Sequence, residues 1–190
     1  MLVLGETTLA DTIAAFGEPA ERRQEPADPG LSDNFDALRP RPPTLHHAKL
    51  KGEFDWMRYS FSRATLVMLP NQATARIRLL DVAFWKDKLV FYQYSSSFTE
   101  DTTNFDEEKV NAFVRGRTTA GDVLNALGTP GGQAIYPYIA RQGTRAYFYQ
   151  YAKVGPRKGQ VTLKHLELLF NGVERLDQVY LVTDIKDGTQ

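Results

Sequence analysis

The stretch Gly116-Arg117-Thr118-Thr119-Ala120-Gly121-Asp122-Val123-Leu124-Asn125-Ala126-Leu127-Gly128-Thr129-Pro130 repeats a phrase met near the start of the chain. There it reads Gly5-Glu6-Thr7-Thr8-Leu9-Ala10-Asp11-Thr12-Ile13-Ala14-Ala15-Phe16-Gly17-Glu18-Pro19, at a constant offset of 111 residues. Seven of the fifteen positions are identical, where unrelated segments share roughly one at average residue usage. The chain therefore reads as an internal duplication.

Each shared residue has a physical role. Thr8 and Thr119 stand at helix N-cap positions, with Asp11 and Asp122 three residues on, the spacing at which hydroxyl and carboxylate satisfy the first-turn amides reciprocally. Leu9, Ile13 and Phe16, and in the second phrase Val123, Leu124 and Leu127, form the apolar stripe. Gly17 and Gly128 supply the left-handed residue after the last turn, and Pro19 and Pro130 prevent the helix from resuming.

Matching strands follow. Met57, Tyr59 and Phe61 alternate with Arg58, Ser60 and Ser62, as Tyr147, Tyr149 and Tyr151 alternate with Phe148, Gln150 and Ala152. Leu80, Val82 and Phe84 recur as Leu166, Leu168 and Phe170, separated by Asp81 in one case and Glu167 in the other. Polar turns at 85–88 and 171–175 lead into third strands at 89–94 and 176–183. The inward face of these third strands stays open, because the copies align equally well at two registers. Asn104-Phe105-Asp106-Glu107 is a further capping pattern, opening a helix with Val110, Phe113 and Val114 on its stripe.

The expected fold is α+β: two tandem repeats of short helices followed by a three-stranded antiparallel sheet, with the helices on one sheet face. Residues 1–103 form the first repeat and 104–190 the second. About 24–52, holding half of the ten prolines, reads as a loop inserted into the first. His46-His47 lies there without a carboxylate at helical spacing, so no metal is expected. The apolar run Leu66-Val67-Met68-Leu69, between two strands, demands a cover. It either closes an end of the core or meets another protein.

Equal numbers of basic and acidic residues, 23 each, leave no electrostatic footprint for nucleic acid. No apolar run is long enough to span a bilayer as a helix. Without cysteine there is neither disulfide nor thiolate chemistry. Phosphate-binding glycine loops, metal-ligand spacings and nucleophile elbows are all missing. No enzymatic activity and no cofactor are expected.

The short helix, the Gly-x-Thr-Thr-x-x-Asp-Val phrase with its Leu-Gly-x-Pro close, the aromatic strand and the strand ending in Phe together resemble the SmpA/OmlA (BamE-like) lipoprotein domain. Gly116, Thr118, Thr119, Asp122, Val123, Leu127, Gly128, Pro130, Tyr149 and Phe170 carry the match. Gly5, Thr7, Thr8, Asp11, Phe16, Gly17, Pro19, Tyr59 and Phe84 repeat it. A tandem pair also resembles the β-lactamase inhibitor protein architecture, in which two helix-and-sheet repeats present a concave sheet. The resemblance implies a cell-envelope lipoprotein on the periplasmic side of the outer membrane or in the periplasm. It would bind an envelope protein of unknown identity, in outer-membrane assembly or maintenance. Membrane contact would come only through a lipid anchor outside residues 1–190.

Strand alternation places Arg58, Asp81, Trp85, Phe148, His165 and Glu167 on the sheet face away from the helices. With Leu66, Met68 and Leu69 they are the expected protein-binding residues, being aromatic and charged anchors of the kind that interfaces favour. Two other readings stay open: a ligand carrier with an apolar pocket, and a structural protein in which the same residues bury a homodimer contact.

Overall fold

The computed structural model describes residues 1–26, 52–65, 74–96, 98, 101, 104–154 and 161–186. Most of the proline-rich insertion, His46-His47 and the run Leu66, Met68 and Leu69 lie outside the described residues.

The first capped phrase forms α1 (Leu9–Phe16). Four strands follow: β1 (Glu21–Pro26), β2 (Glu53–Thr65), β3 (Thr74–Trp85) and β4 (Lys88–Ser96). Next come α2 (Glu107–Asn111) and α3 (Ala120–Leu127), then β5 (Gly132–Ile135), β6 (Arg145–Val154), β7 (Val161–Phe170) and β8 (Leu176–Lys186). Thr8 and Thr119 both close full capping boxes, with Asp11 and Asp122 returning the bond. Their backbone angles agree within a few degrees, φ −92° and ψ 167° against φ −94° and ψ 163°. The N-cap of α2 is Asp106 rather than the expected Asn104, and this helix has only five residues.

The expected pair of three-stranded sheets is corrected. Among the described residues all eight strands form one antiparallel sheet in the order β1-β2-β3-β4-β5-β6-β7-β8, and the helices are few and short. Two strands escaped the sequence reading, one in each copy, because neither carries apolar alternation. β1 reads Glu-Arg-Arg-Gln-Glu-Pro, and β5 is the four residues Gly-Gln-Ala-Ile. Both begin just after the Gly-x-Pro close of a helix, and β5 pairs with β4 as well as β6, which fuses the two halves.

That fusion depends on absent side chains. A Cβ on Gly132 would stand 2.7 Å from the Tyr92 carbonyl oxygen, and one on Gly131 would stand 3.0 Å from that of Tyr94. The matching positions are Ala20, just before the edge strand β1, and Glu21, its first residue.

The two alternative registers of the third strands are resolved by a bulge. Pairing shifts between Ala83 and Phe84 in one half and between Leu169 and Phe170 in the other, so Val90 and Asp177 are the extra residues. A bulge reverses the alternation along its strand. Leu89, Tyr92 and Tyr94 consequently share the helix face, as Leu176, Val179 and Leu181 do.

Among the described residues three clusters fill the interior. Beneath α1, Leu9 and Ile13 meet Met57, Val82, Phe84 and Leu89. Beneath α2 and α3, Val110 and Val123 meet Tyr147, Leu166, Leu168 and Phe170. The third cluster lies on the opposite face and joins the halves, with Trp56, Ala83 and Phe91 from one and Ala134, Ala146, Phe148 and Leu169 from the other. The β5–β6 connection covers it, bringing in Ile139 and stacking Tyr138 on Phe91 at 4.2 Å between centroids.

Candidate functional site

The helix-free face is ordered by a single cross-strand row. Register pairs run Glu21, Arg58, Asp81 and Gln93 across β1 to β4, and continue through Gly132, Phe148, Glu167 and Tyr180 across β5 to β8. Four of the expected binding residues, Arg58, Asp81, Phe148 and Glu167, therefore stand in one line. On one side of that line lies the covered cluster. On the other the face is open, with Ser60, Leu79, Ser95, Gln150, His165 and Val182 in the next positions. Because β5 begins at Gly132, no strand among the described residues bridges β4 and β6 along that open side.

Arg58 and Asp81 are cross-strand partners joined by two bonds, Nε to Oδ1 at 2.7 Å and Nη2 to Oδ2 at 3.0 Å. The planar guanidinium fits the carboxylate, and the pair is a fixed dipole rather than two loose charges. Behind it the Trp56 ring receives the Arg58 guanidinium at 4.8 Å and that of Arg23 at 3.5 Å. Arg23 is held in turn between Glu21 and Glu25 of its own strand. Trp56 was not singled out from sequence. Nothing local in β1 announced Arg23 as its second partner.

His165 and Glu167 also form a pair, Nε2 to Oε1 at 2.5 Å, with the Gln150 amide 3.2 Å from His165 Nδ1. An amide N–H donated to Nδ1 leaves the proton on Nε2, which points at the carboxylate. The second oxygen of Glu167 is buried with no partner among the described residues, as is the amide nitrogen of Gln93 on the same row. Gln93 and Tyr180 were not singled out from sequence.

Two expected residues are placed differently. Phe148 is 4 % exposed inside the third cluster, with its ring 5.8 Å from Phe91. The reason is the β5–β6 connection, whose Ile139 and Tyr138 pack over this cluster. Trp85 packs on Phe54 at 5.3 Å, at the end of the sheet away from the open positions. Asp81 and Glu167 lie four strands apart, about 19 Å at the usual strand spacing. They cannot share a proton or flank one bond.

Among the described residues no group of three or more His, Asp or Glu side chains converges to hold a metal. Among the described residues, a surface depression of about 550 Å³ is an open polar cleft lined by Phe105, Glu107 and Lys164 among others, and another measures about 140 Å³.

No family model matches the chain, and no curated protein matches it. A solved structure of a proposed β-lactamase inhibitor protein from Streptococcus mutans is similar over 93% of this chain and 82% of that one, with 10% sequence identity and a TM-score of 0.42. At that distance the fold described above stands on its own register and packing.

Proposed function

We propose that this is a non-enzymatic binding protein whose partner, another protein, docks on the open side of the helix-free sheet face. The observation that carries the reading is the unbroken row from Glu21 to Tyr180, which joins the faces of both halves into one surface. Its polar groups are held in position by Arg58–Asp81 and by Gln150–His165–Glu167. Prearranged polar groups beside half-exposed Leu79 and Val182 match the make-up of protein interfaces. The separation of Asp81 and Glu167 keeps these two carboxylates from working as one acid–base pair. Placement in the cell envelope, as an SmpA/OmlA-like lipoprotein with the two-repeat inhibitor-like layout, belongs to the proposal through the sequence resemblance alone.

Photo-crosslinking tests it. A crosslinkable residue at exposed Ser60 and Leu163 samples both arms of the open side, and one at exposed Gly121 on α3 is the control. An adduct to the same protein from positions 60 and 163, and not from 121, is expected. An adduct of twice the chain mass would replace docking by self-association, and equal labelling from all three positions would remove the face from consideration. Fractionation of cells expressing the natural gene tests the envelope assignment separately.

A further inference from the structure

The two outer edges of the sheet are unlike. β1 is guarded by Arg22, Arg23 and Glu25 and ends at Pro26, and charges and proline discourage a further strand. β8 runs for eleven residues with Val179-Tyr180-Leu181-Val182 at its centre and no proline. Its equivalent in the first half, β4, is not an edge. There Gly5 and Thr7 bond Leu89, and β5 then takes the strand onward, with the Tyr94 amide donating to the Gly131 carbonyl at 2.7 Å. In the second half Gly116 and Thr118 bond Leu176 in the same manner. Beyond that point Gln178 to Thr183 make no backbone hydrogen bond outside the β7 pairing among the described residues.

We infer that the β8 edge is a strand-addition site for an extended segment of a partner protein carrying a glycine pair, held as β5 is held on β4. By equivalence with Tyr92 and Tyr94, the amides of Val179 and Leu181 point off the edge and supply the bonds. The glycine requirement follows from Gly131 and Gly132, where any Cβ meets backbone. The same requirement excludes a second copy's β1 with the residue before it, since Ala20-Glu21 stands at the glycine positions. Backbone bonds along the edge would provide affinity and the small residues selectivity. Tyr180 and Val182 of β8 belong to the helix-free face through their side chains, whereas strand addition uses the backbone amides of the edge, so crosslinking at Ser60 and Leu163 can fail without touching it.

The test uses the full chain and a fluorescent peptide of sequence Pro-Gly-Gly-Gln-Ala-Ile-Tyr, that of residues 130–136. Saturable binding is expected, with slowed hydrogen exchange at the Val179 and Leu181 amides. The peptide with valine for its second glycine should bind about tenfold more weakly or worse. Val179→Pro removes one outward donor without breaking a β7 ladder bond, and should weaken binding similarly. Exchange on the unaltered chain decides the matter if that variant fails to fold. No binding, or equal binding of the valine peptide, would overturn the inference. So would a chain of doubled mass with both amides protected before peptide is added, since β8 would then be closed by a second copy.

Discussion

Asp101 does for the first half of the molecule what Glu107 does for the second. Asp101 accepts bonds from Arg78 and Ser96, which are cross-strand partners, and Glu107 accepts from Lys164 and Thr183, which are partners at the equivalent register. An aromatic ring accompanies each acid: Phe98 lies 4.3 Å from the Arg78 guanidinium, and Phe105 lies 5.8 Å from the Lys164 ammonium. The two acids come from different elements, Asp101 from the connection after β4 and Glu107 from the first turn of α2. One docking chemistry is thus met twice by unlike backbone.

A pH dependence follows from that anchoring. The Arg78 guanidinium, then the Ser96 and Tyr94 hydroxyls, hold the Asp101 carboxyl well below the usual carboxylate range. The Lys164 ammonium lowers Glu107 in the same direction. A carboxylate lowered in the folded state contributes stability that is fully present above its unfolded value, about 3.9 for Asp, and lost as pH falls toward the folded value. Asp101→Asn should therefore lower the melting temperature at pH 7 and flatten its decline below about pH 4. Equal acid sensitivity in the variant and the parent chain would contradict the assignment.

Tyr149 and Tyr59 occupy equivalent positions but should respond in opposite ways to loss of the hydroxyl. The Tyr149 hydroxyl donates to the Gly128 carbonyl at 2.9 Å, at the end of α3. Tyr59 Oη is buried without a partner among the described residues. Tyr149→Phe should cost about 1 kcal/mol, and Tyr59→Phe should be neutral or stabilising, because only the second removes a polar atom that is already unpaired. Denaturant titration of the two variants reads the difference directly.

The join between the halves should be sensitive at one backbone position. Gly132→Ala sets a Cβ against the Tyr92 carbonyl and the Gln93 backbone, neither of which can swing away. A loss of about 1–3 kcal/mol is expected, the usual range for overpacking. Hydrogen exchange should quicken in β4 and β5 before it does in β2 or β7. Glu21→Gly, at the equivalent place on the edge strand, should change stability far less.

The repeated caps should behave alike. Thr8→Ala and Thr119→Ala each remove a hydroxyl that accepts an amide at 3.1 Å, and each should cost about 1 kcal/mol. A difference much larger than this between two caps of the same geometry would show that one of them does more than end a helix.

The sequence by itself determined whatever is encoded within a few residues. Thr8 with Asp11 and Thr119 with Asp122 announced capped helices, because capping bonds span three residues. Tyr147, Tyr149, Leu166 and Leu168 announced buried strand faces, because side chains alternate with period two. The same alternation put Arg58, Asp81, His165 and Glu167 on one face. Only the tertiary structure decided that the sheet is single. The strands that complete it, β1 and β5, are stabilised by partners far along the chain: Glu21 pairs with Arg58, and Gly132 pairs with both Gln93 and Phe148. Their own residues show no apolar period to read. It also decided that Phe148 is core and that the bulge residues Val90 and Asp177 turn their strands over. Burial and register depend on what packs above a strand and beside it, and neither neighbour is written in the strand itself.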